Sequence, residues 1–366
     1  MPTFVVSDLH LDAEADGQLF HDRRQGKALE QLCEQVRRRP GAELVLLGDT
    51  FDFTAMLPPE KGLEDFSRKV GVAIEPPPRL TTGQMCARIA RDNPIAMEAL
   101  VRVAAEAPLW LVPGNHDRHL GEPGAAEALR HIGLGNARIA RFVDRSLDGK
   151  SVVMVHGHEF DAGNAEACGP GESMTACLHN ALLPFLRAHG ARKHLRMEPD
   201  RLVALRPEEG VVTLLQRWLE PDVFRRVFGA FLDLLAENRY LPQALAFLAR
   251  LVPPDRVRAK VEAEDRLWER AGATAVDCLR GKRRLPHGAP RPDLLVLGHT
   301  HMLDWAADFD DRLYVNLGTW TERAADAMSP PDTTLPLLEL RIHEGRPQAL
   351  LRDLESGGEL QRYSLQ

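Results

Sequence analysis

Five short apolar runs, at residues 3–6, 43–47, 109–112, 151–155 and 293–297, each lead directly into a polar cluster. Runs of this length and apolarity predict buried strands. Between the early ones the spacing changes to the helical period. Residues 27–38 predict an amphipathic helix that stops at Arg39-Pro40-Gly41. Asp92-Asn93-Pro94 predicts a cap leading into a helix that reaches about residue 106, with the proline in its first turn. Pro58-Pro59 and Pro76-Pro77-Pro78 mark a Pro-rich loop after the second cluster. Strand and helix alternation points to βαβ units and a layered α/β fold. After the fifth cluster the pattern turns β-rich, over residues 313–317, 335–342 and 348–354.

Residues 169–292 carry almost no strand signal. Phe224, Phe228, Phe231 and Leu235 share one helical face, as do Leu241, Leu245 and Leu248, and Pro221, Pro242 and Pro253-Pro254 divide the segment into several helices. This segment holds 21 Lys/Arg against 15 Asp/Glu, although the whole chain is at −7. Because it is inserted between the fourth and fifth clusters, both its ends return to the edge where the clusters gather. That placement predicts a helical cap (169–292) on a core made of residues 1–168 and 293–366.

The clusters read Asp8-Leu9-His10, Gly48-Asp49-Thr50-Phe51-Asp52, Gly114-Asn115-His116-Asp117, His156-Gly157-His158 and Gly298-His299-Thr300-His301. Open α/β sheets place their sites at such strand ends. One histidine at a strand end is more often structural than a ligand; the joint set of imidazoles, carboxylates and one carboxamide decides for a metal site. With no thiolate, it suits Mn, Fe, Co, Ni or Zn rather than a structural Cys-zinc centre. Asp8, His10, Asp49 and His301 can hold one divalent ion. Asp49, as a bridge, can hold a second with Asn115, His156 and His299. Two ions at about 3.5–4 Å suit displacement at phosphorus, and a water between them would have its pKa lowered towards about 7, giving a bridging hydroxide. His116 then faces the leaving group as an acid or charge stabiliser, and Asp117 is expected to orient its ring. Asp52 is expected to support a ligand histidine or bind substrate. His158 and Asp161 are expected to touch substrate or a ligand, with Asn164 beside them at the entrance.

Composition narrows the partners. The net charge of −7 gives no reason to expect a nucleic acid. The five cysteines (33, 86, 168, 177 and 278) form no C-x-x-C pair, so a disulfide framework is not expected and a reducing compartment fits. A strand begins within three residues of the N-terminus, leaving no room for a signal peptide, and no apolar run is long enough to span a bilayer. A soluble cytoplasmic protein is expected. Its insert offers a surface for peripheral membrane contact or for dimerisation, with basic residues such as Arg187, Arg192, Arg283 and Arg284 near its ends.

The ordered set D-x-H, G-D-x-x-D, G-N-H-D, H-G-H, G-H-x-H resembles the calcineurin-like metallophosphoesterase superfamily, and its motifs run from Asp8 to His301. The resemblance implies a four-layer αββα sandwich with a dinuclear site at one edge, hydrolysing phosphoesters. Gly48-Asp49-Thr50-Phe51-Asp52, the helical insertion and Leu317-Gly318-Thr319-Trp320 are similar to the branch of UDP-2,3-diacylglucosamine pyrophosphatases. That implies a pyrophosphate-linked nucleotide-sugar lipid as substrate. This chain departs from that branch in having His116 in place of Arg, His158 in place of Asp, and a longer insert. The alternative enzyme is a phosphodiesterase or phosphatase acting on a nucleotide or small phosphorylated metabolite. The alternative outside enzymes is a metal-binding scaffold whose insert binds protein partners.

Overall fold

The computed structural model describes residues 2–13, 18–161, 163–165, 169–193, 202–205, 210–238, 267–307, 312–323 and 334–365. Its strands are β1 (Thr3–Val6), β2 (Glu43–Leu47), β3 (Leu109–Val112), β4 (Arg138–Ile139), β5 (Val143–Leu147), β6 (Lys150–Met154), β7 (Leu294–Leu297), β8 (Leu303–Ala307), β9 (Leu313–Leu317), β10 (Pro336–His343), β11 (Arg346–Asp353) and β12 (Glu359–Ser364). They form a seven-stranded sheet, β12-β11-β10-β1-β2-β3-β4, and a five-stranded sheet, β5-β6-β7-β9-β8. The strands ahead of the first three clusters lie parallel in the larger sheet. Those ahead of the last two lie parallel in the smaller one.

Alternation along each strand divides the side chains between layers. Val5, Val45, Leu47 and Val112 meet Val152, Met154, Leu294 and Val296 between the sheets. Phe4, Val6, Leu44 and Leu46 face outward to the helices Lys27–Arg38, Thr82–Asp92 and Pro94–Glu106. On the far side, Val153, Val155, Leu295 and Leu297 pack with Ala275, Cys278 and Leu279 of the helix Leu267–Leu279. The fold is therefore a mixed α/β sandwich of two sheets covered by helices, with a helical insertion. The last helix of the segment predicted as insert packs as an outer layer of the sandwich.

Several local expectations change. The helix Pro94–Glu106 has Pro94 in its first turn, but Asn93 does not cap it. Asn93 Nδ2 instead donates to the Asp12 carbonyl at 2.6 Å and the Ile89 carbonyl at 3.0 Å. The cap comes from Asp22, whose carboxylate accepts from Ile95 N at 2.9 Å and Ala96 N at 2.8 Å. The Pro-rich region contains the helices Leu63–Val70 and Thr82–Asp92, the latter opened by a Thr81–Gln84 capping box. Leu63, Phe66 and Val70 join Phe224, Phe231 and Leu235 in the insertion's own core. Leu241, Leu245 and Leu248 lie outside the described residues. Cys33, Cys86, Cys177 and Cys278 are free and buried. Among the described residues no helix is long and apolar enough to cross a membrane.

One polar contact ties the sheets together at the strand ends remote from the clusters. The buried Glu43 carboxylate accepts from Thr3 Oγ1 (2.7 Å), Trp110 Nε1 (2.9 Å) and Arg145 Nε and Nη2 (2.5 and 2.6 Å), Arg145 belonging to β5 of the other sheet. Burial raises its pKa, but Arg145, Thr3 and Trp110 together hold it below the ordinary 4.5. Glu43→Gln should therefore lower the unfolding free energy at neutral pH by about 2 kcal/mol, within the range for hydrogen bonds to charged groups. A depressed folded pKa contributes stability above the unfolded value, and that contribution is lost as the pH falls. In urea melts the gap between parent and variant should narrow as the pH drops through 4.5. A gap constant with pH would refute this account.

Candidate metal centre

The five clusters meet where the ends of β1, β2 and β3 approach those of β6 and β7. Asp8, His10, Asp49, His299 and His301 all take left-handed backbone conformations, with φ of 54°, 49°, 48°, 71° and 57°. This region costs L-residues about 1–2 kcal/mol each, and such strain persists only where the surroundings over-determine it. Here the chain crosslinks itself: His10 N donates to the Asp49 carbonyl at 2.9 Å, and Asp8 N to the Gly48 carbonyl at 3.1 Å. The Asp8 carbonyl accepts from Trp320 N at 3.1 Å and Thr319 Oγ1 at 2.9 Å. Motif glycines allow the close approach. A Cβ on Gly114 would strike Asp49 and His156, and one on Gly298 would strike Ser7 and Asp8.

Among the described residues three groups of side chains bring ligand-type atoms within 4.8 Å of one another: the half-buried set His10, Asp52 and His116, and two that share Asp49, namely Asp8, His10, Asp49 and His301, and Asp49, His156 and His299. All members of the two groups that share Asp49 are buried. His10 Nδ1 donates to Asp52 Oδ2 at 3.0 Å, which leaves its Nε2 lone pair facing His301 Nε2 at 3.0 Å. His301 Nε2 lies 3.3 Å from Asp8 Oδ1.

The hydrogen-bond directions decide what belongs between these atoms. His156 Nδ1 lies 2.9 Å from the Leu47 carbonyl, which can only accept, so Nδ1 carries the proton. Its buried Nε2 makes no hydrogen bond, yet sits 3.1 Å from Asp49 Oδ2. The second group repeats this arrangement. The Asp161 carboxylate accepts from His299 Nε2 at 3.1 Å and from Asn164 Nδ2. Asn164 Oδ1 is then free to accept from Asn115 Nδ2 at 3.4 Å, which turns Asn115 Oδ1 towards His299 Nδ1 at 3.1 Å. Lone pairs thus face lone pairs at two places in a buried site. A proton can relieve the first, and a cation at each position relieves both. The residues present fit divalent metal, and the buried His/Asp cluster is able to bind it.

Without a cation the ring of His156 must hold a proton. Burial opposes the charge, but Asp49 and Asp8 raise its pKa to about 10. Burial likewise opposes ionisation of Asp49, which His156, His116 and His10 hold well below the carboxylate range. Ligation needs the Nε2 lone pair, so metal loading at pH 7 should release about one proton from this ring. Titrating apoprotein with Mn²⁺ in weak buffer containing an indicator dye would detect it; loading with no proton release would refute this reading of His156.

His116 lies beside the cluster with its side chain 15% exposed, more open than His10, His156, His299 or His301. Its Nδ1 donates to Asp52 Oδ1 at 2.9 Å, and its backbone N donates to Asp49 Oδ1 at 2.8 Å. Asp117, expected to orient this ring, does not reach it. Its carboxylate accepts from the backbone N of Gly114 (2.6 Å), Thr50 (2.8 Å) and Phe51 (3.2 Å), clamping the second cluster to the third. Geometry explains the exchange: Asp117 turns back into the loop, whereas Asp52 projects between His10 and His116. His158 is buried, with its ring 5.5 Å from that of His156 and 6.4 Å from that of His299. Burial keeps it neutral, with a pKa of about 3.

Residues 1–168 match the calcineurin-like phosphoesterase family. The site draws on residues within this match and on His299 and His301, which lie beyond it. No curated protein matches the chain. Among solved structures the chain is similar to a dimetal phosphatase from Danio rerio, with 13% identity, 100% of this chain and 98% of that one covered and a TM-score of 0.40. It is also similar to zinc-complexed Vps29 from Entamoeba histolytica, at 10% identity, full coverage of both chains and a TM-score of 0.35. A predicted phosphoesterase from Streptococcus pneumoniae has 9% identity, coverage of 99% and 97%, and a TM-score of 0.32.

Thr319, Trp320 and Asn164 do structural work that the sequence only hinted at. Arg323 Nη1 also donates to the His301 carbonyl at 3.0 Å, and Asn316 Nδ2 to that of Gly298 at 2.7 Å. Neither carried a sequence signal beyond lying soon after the fifth cluster.

Proposed function

We propose that the protein is a dinuclear metal-dependent phosphoester hydrolase. The observation that carries this reading is the convergence, within 4.8 Å in a buried site, of the ligand atoms of Asp8, His10, Asp49 and His301 and of Asp49, His156 and His299, with Asn115 Oδ1 3.1 Å from His299 Nδ1. Asp8, His10, Asp49 and His301 would hold one ion, and Asp49, Asn115, His156 and His299 the other. When bound, the ions supply Lewis acidity towards phosphoryl oxygens and an activated water. The protein's own groups supply the rest. Asp52 and Asp161 fix the tautomers of His10 and His299, the orienting role that carboxylates commonly take behind ligand histidines. His116, held by Asp52, presents its other ring nitrogen to the leaving oxygen and donates its proton there. Of the cap expected over residues 169–292, the helices Pro170–Cys177, Leu183–Lys193, Gly210–Trp218 and Pro221–Glu237 would cover the site edge.

For the substrate we propose a phosphorylated or pyrophosphate-linked metabolite. A UDP-linked acylated sugar is one candidate, on the strength of the second motif and the insertion. Phe224 and Phe231 are buried in the insertion's core and Phe228 packs against it, so this aromatic face is not open to an acyl chain. That favours a compact polar substrate.

The test is hydrolysis of bis-p-nitrophenyl phosphate and p-nitrophenyl phosphate with Mn²⁺, before and after chelation, followed by a UDP-linked acylated sugar and small phosphodiesters. Chelator-sensitive hydrolysis is the expected result. Protein shown to hold two metals yet inert across the panel would sink the hydrolase reading and favour a scaffold.

A further inference from the structure

The helical insertion touches the sandwich through a chain of hydrogen bonds that ends at His116. Between the helices Pro170–Cys177 and Leu183–Lys193 the backbone widens into a π-helical turn, Leu178–Leu182. Such turns interrupt the α-helical register and recur at functional positions. At its centre is Asn180, whose Nδ2 donates both protons to the sandwich: to the Ala55 carbonyl at 2.9 Å and the Leu57 carbonyl at 2.8 Å. These carbonyls belong to and follow the 3₁₀ turn Thr54–Met56. The same turn holds the proposed acid from the other side. Ala55 N donates to Asp52 Oδ1 at 2.9 Å, the oxygen that also accepts from His116 Nδ1, and Thr54 Oγ1 donates to the His116 carbonyl at 3.4 Å.

We propose that Asn180 is a positioning residue through which the seating of the helical insertion sets the alignment of Asp52 with His116. The inference rests on the reading of His116 as the group that assists the leaving oxygen. Asn180 touches neither the candidate ligands nor the space above them. Its effect passes through the 54–57 turn, whose position fixes where the Ala55 N–H points and hence how Asp52 divides its oxygens between His10 and His116. Removing the amide leaves two carbonyls facing the insertion without donors, and the turn is then free to shift towards other partners.

The experiment uses the full chain loaded with Mn²⁺ and compares Asn180→Leu, Asn180→Gln and His116→Gln with the parent. Two aryl phosphodiesters are compared, one with a phenolate and one with a p-nitrophenolate leaving group. Asn180→Leu should lower kcat about tenfold on the phenyl ester, a barrier increase of about 1.4 kcal/mol. KM and metal content should hold, and the p-nitrophenyl ester, which needs little protonation, should be nearly unaffected. Asn180→Gln, which keeps the amide, should restore most of the loss. The readout independent of turnover, taken on protein loaded with diamagnetic Zn²⁺ because Mn²⁺ would broaden the signal away, is the imidazole N–H proton resonance of His116, assigned by its absence in His116→Gln. It should be lost or broadened in Asn180→Leu and retained in Asn180→Gln. An unchanged resonance in Asn180→Leu, or an equal loss on both esters with the resonance intact, overturns the proposal. If His116→Gln leaves the ratio of the two esters unchanged, the acid reading fails instead, and the resonance alone then decides whether Asn180 positions the ring. Should Asn180→Leu not fold, Asn180→Asp, of the same shape but without donors, carries the same expectations.

Discussion

Asp49→Ala is expected to remove both metal loading and hydrolysis. Asp49 is the only side chain common to both ligand groups. Its Oδ2 faces His156 at 3.1 Å, and its Oδ1 accepts the His116 backbone proton at 2.8 Å. Taking it away leaves His156 without the carboxylate that holds its charge and loosens the third cluster at the same time. Loss of one preorganised electrostatic group costs about 10²–10³ in rate, and here the metals go too, so a fall of at least roughly 10³-fold is expected. Metal content by elemental mass spectrometry, alongside rates with bis-p-nitrophenyl phosphate, checks both halves. Full loading with full activity in Asp49→Ala would rule out this site as the reaction centre.

The second large effect is at His116. Replacing it with glutamine should lower kcat on esters with poor leaving groups by about 10²–10⁴-fold, the usual contribution of a positioned acid. Metal content should be unchanged, because His116 belongs to neither group that contains Asp49, and in the group it forms with His10 and Asp52 the carboxylate already accepts from both rings. The pH profile carries a further signature. Burial opposes the charged ring, but Asp52 and Asp49 raise its pKa to about 9. The proton needed for the leaving group is therefore present below that pKa and lost as pH rises through it. Cations at the neighbouring carboxylates push the other way, so the alkaline limb should fall below pH 9 in loaded protein. Asp52→Asn should move that limb lower still, since it removes the nearest negative charge. An alkaline limb unaffected by both His116→Gln and Asp52→Asn would exclude His116 as the acid.

Asp52 and Asp117 also mark where reading the sequence reached its limit. Asp117 follows His116 in the chain whereas Asp52 lies 64 residues away in the second cluster, and adjacency favoured Asp117. The loop geometry gives the ring to Asp52 and turns Asp117 onto three backbone N–H groups. A carboxylate's partner depends on which way the loop curls, which chain neighbours do not specify. The cap of the helix Pro94–Glu106 follows the same rule. Asn93 is the local candidate, and Asp22, from a distant turn, is the one that fills the place.

The sequence by itself determined the strands and the clusters at their ends. Short apolar runs bounded by glycine and ligand-type residues leave few other structures able to bury them. The strands that carry the clusters accordingly begin and end within a residue of the pattern. Its residue types also pointed to a divalent metal site, because imidazoles, carboxylates and a carboxamide without thiolates suit such an ion. The tertiary structure decided what depends on contacts distant in sequence. It divided the five clusters between the two sheets, three on the larger and two on the smaller, and it placed the helix Leu267–Leu279 on the outer face of the smaller sheet. It drew Leu63, Phe66 and Val70 into the insertion's core. An amphipathic helix announces that it has an apolar face, but the surface that covers that face is fixed only when the whole chain packs.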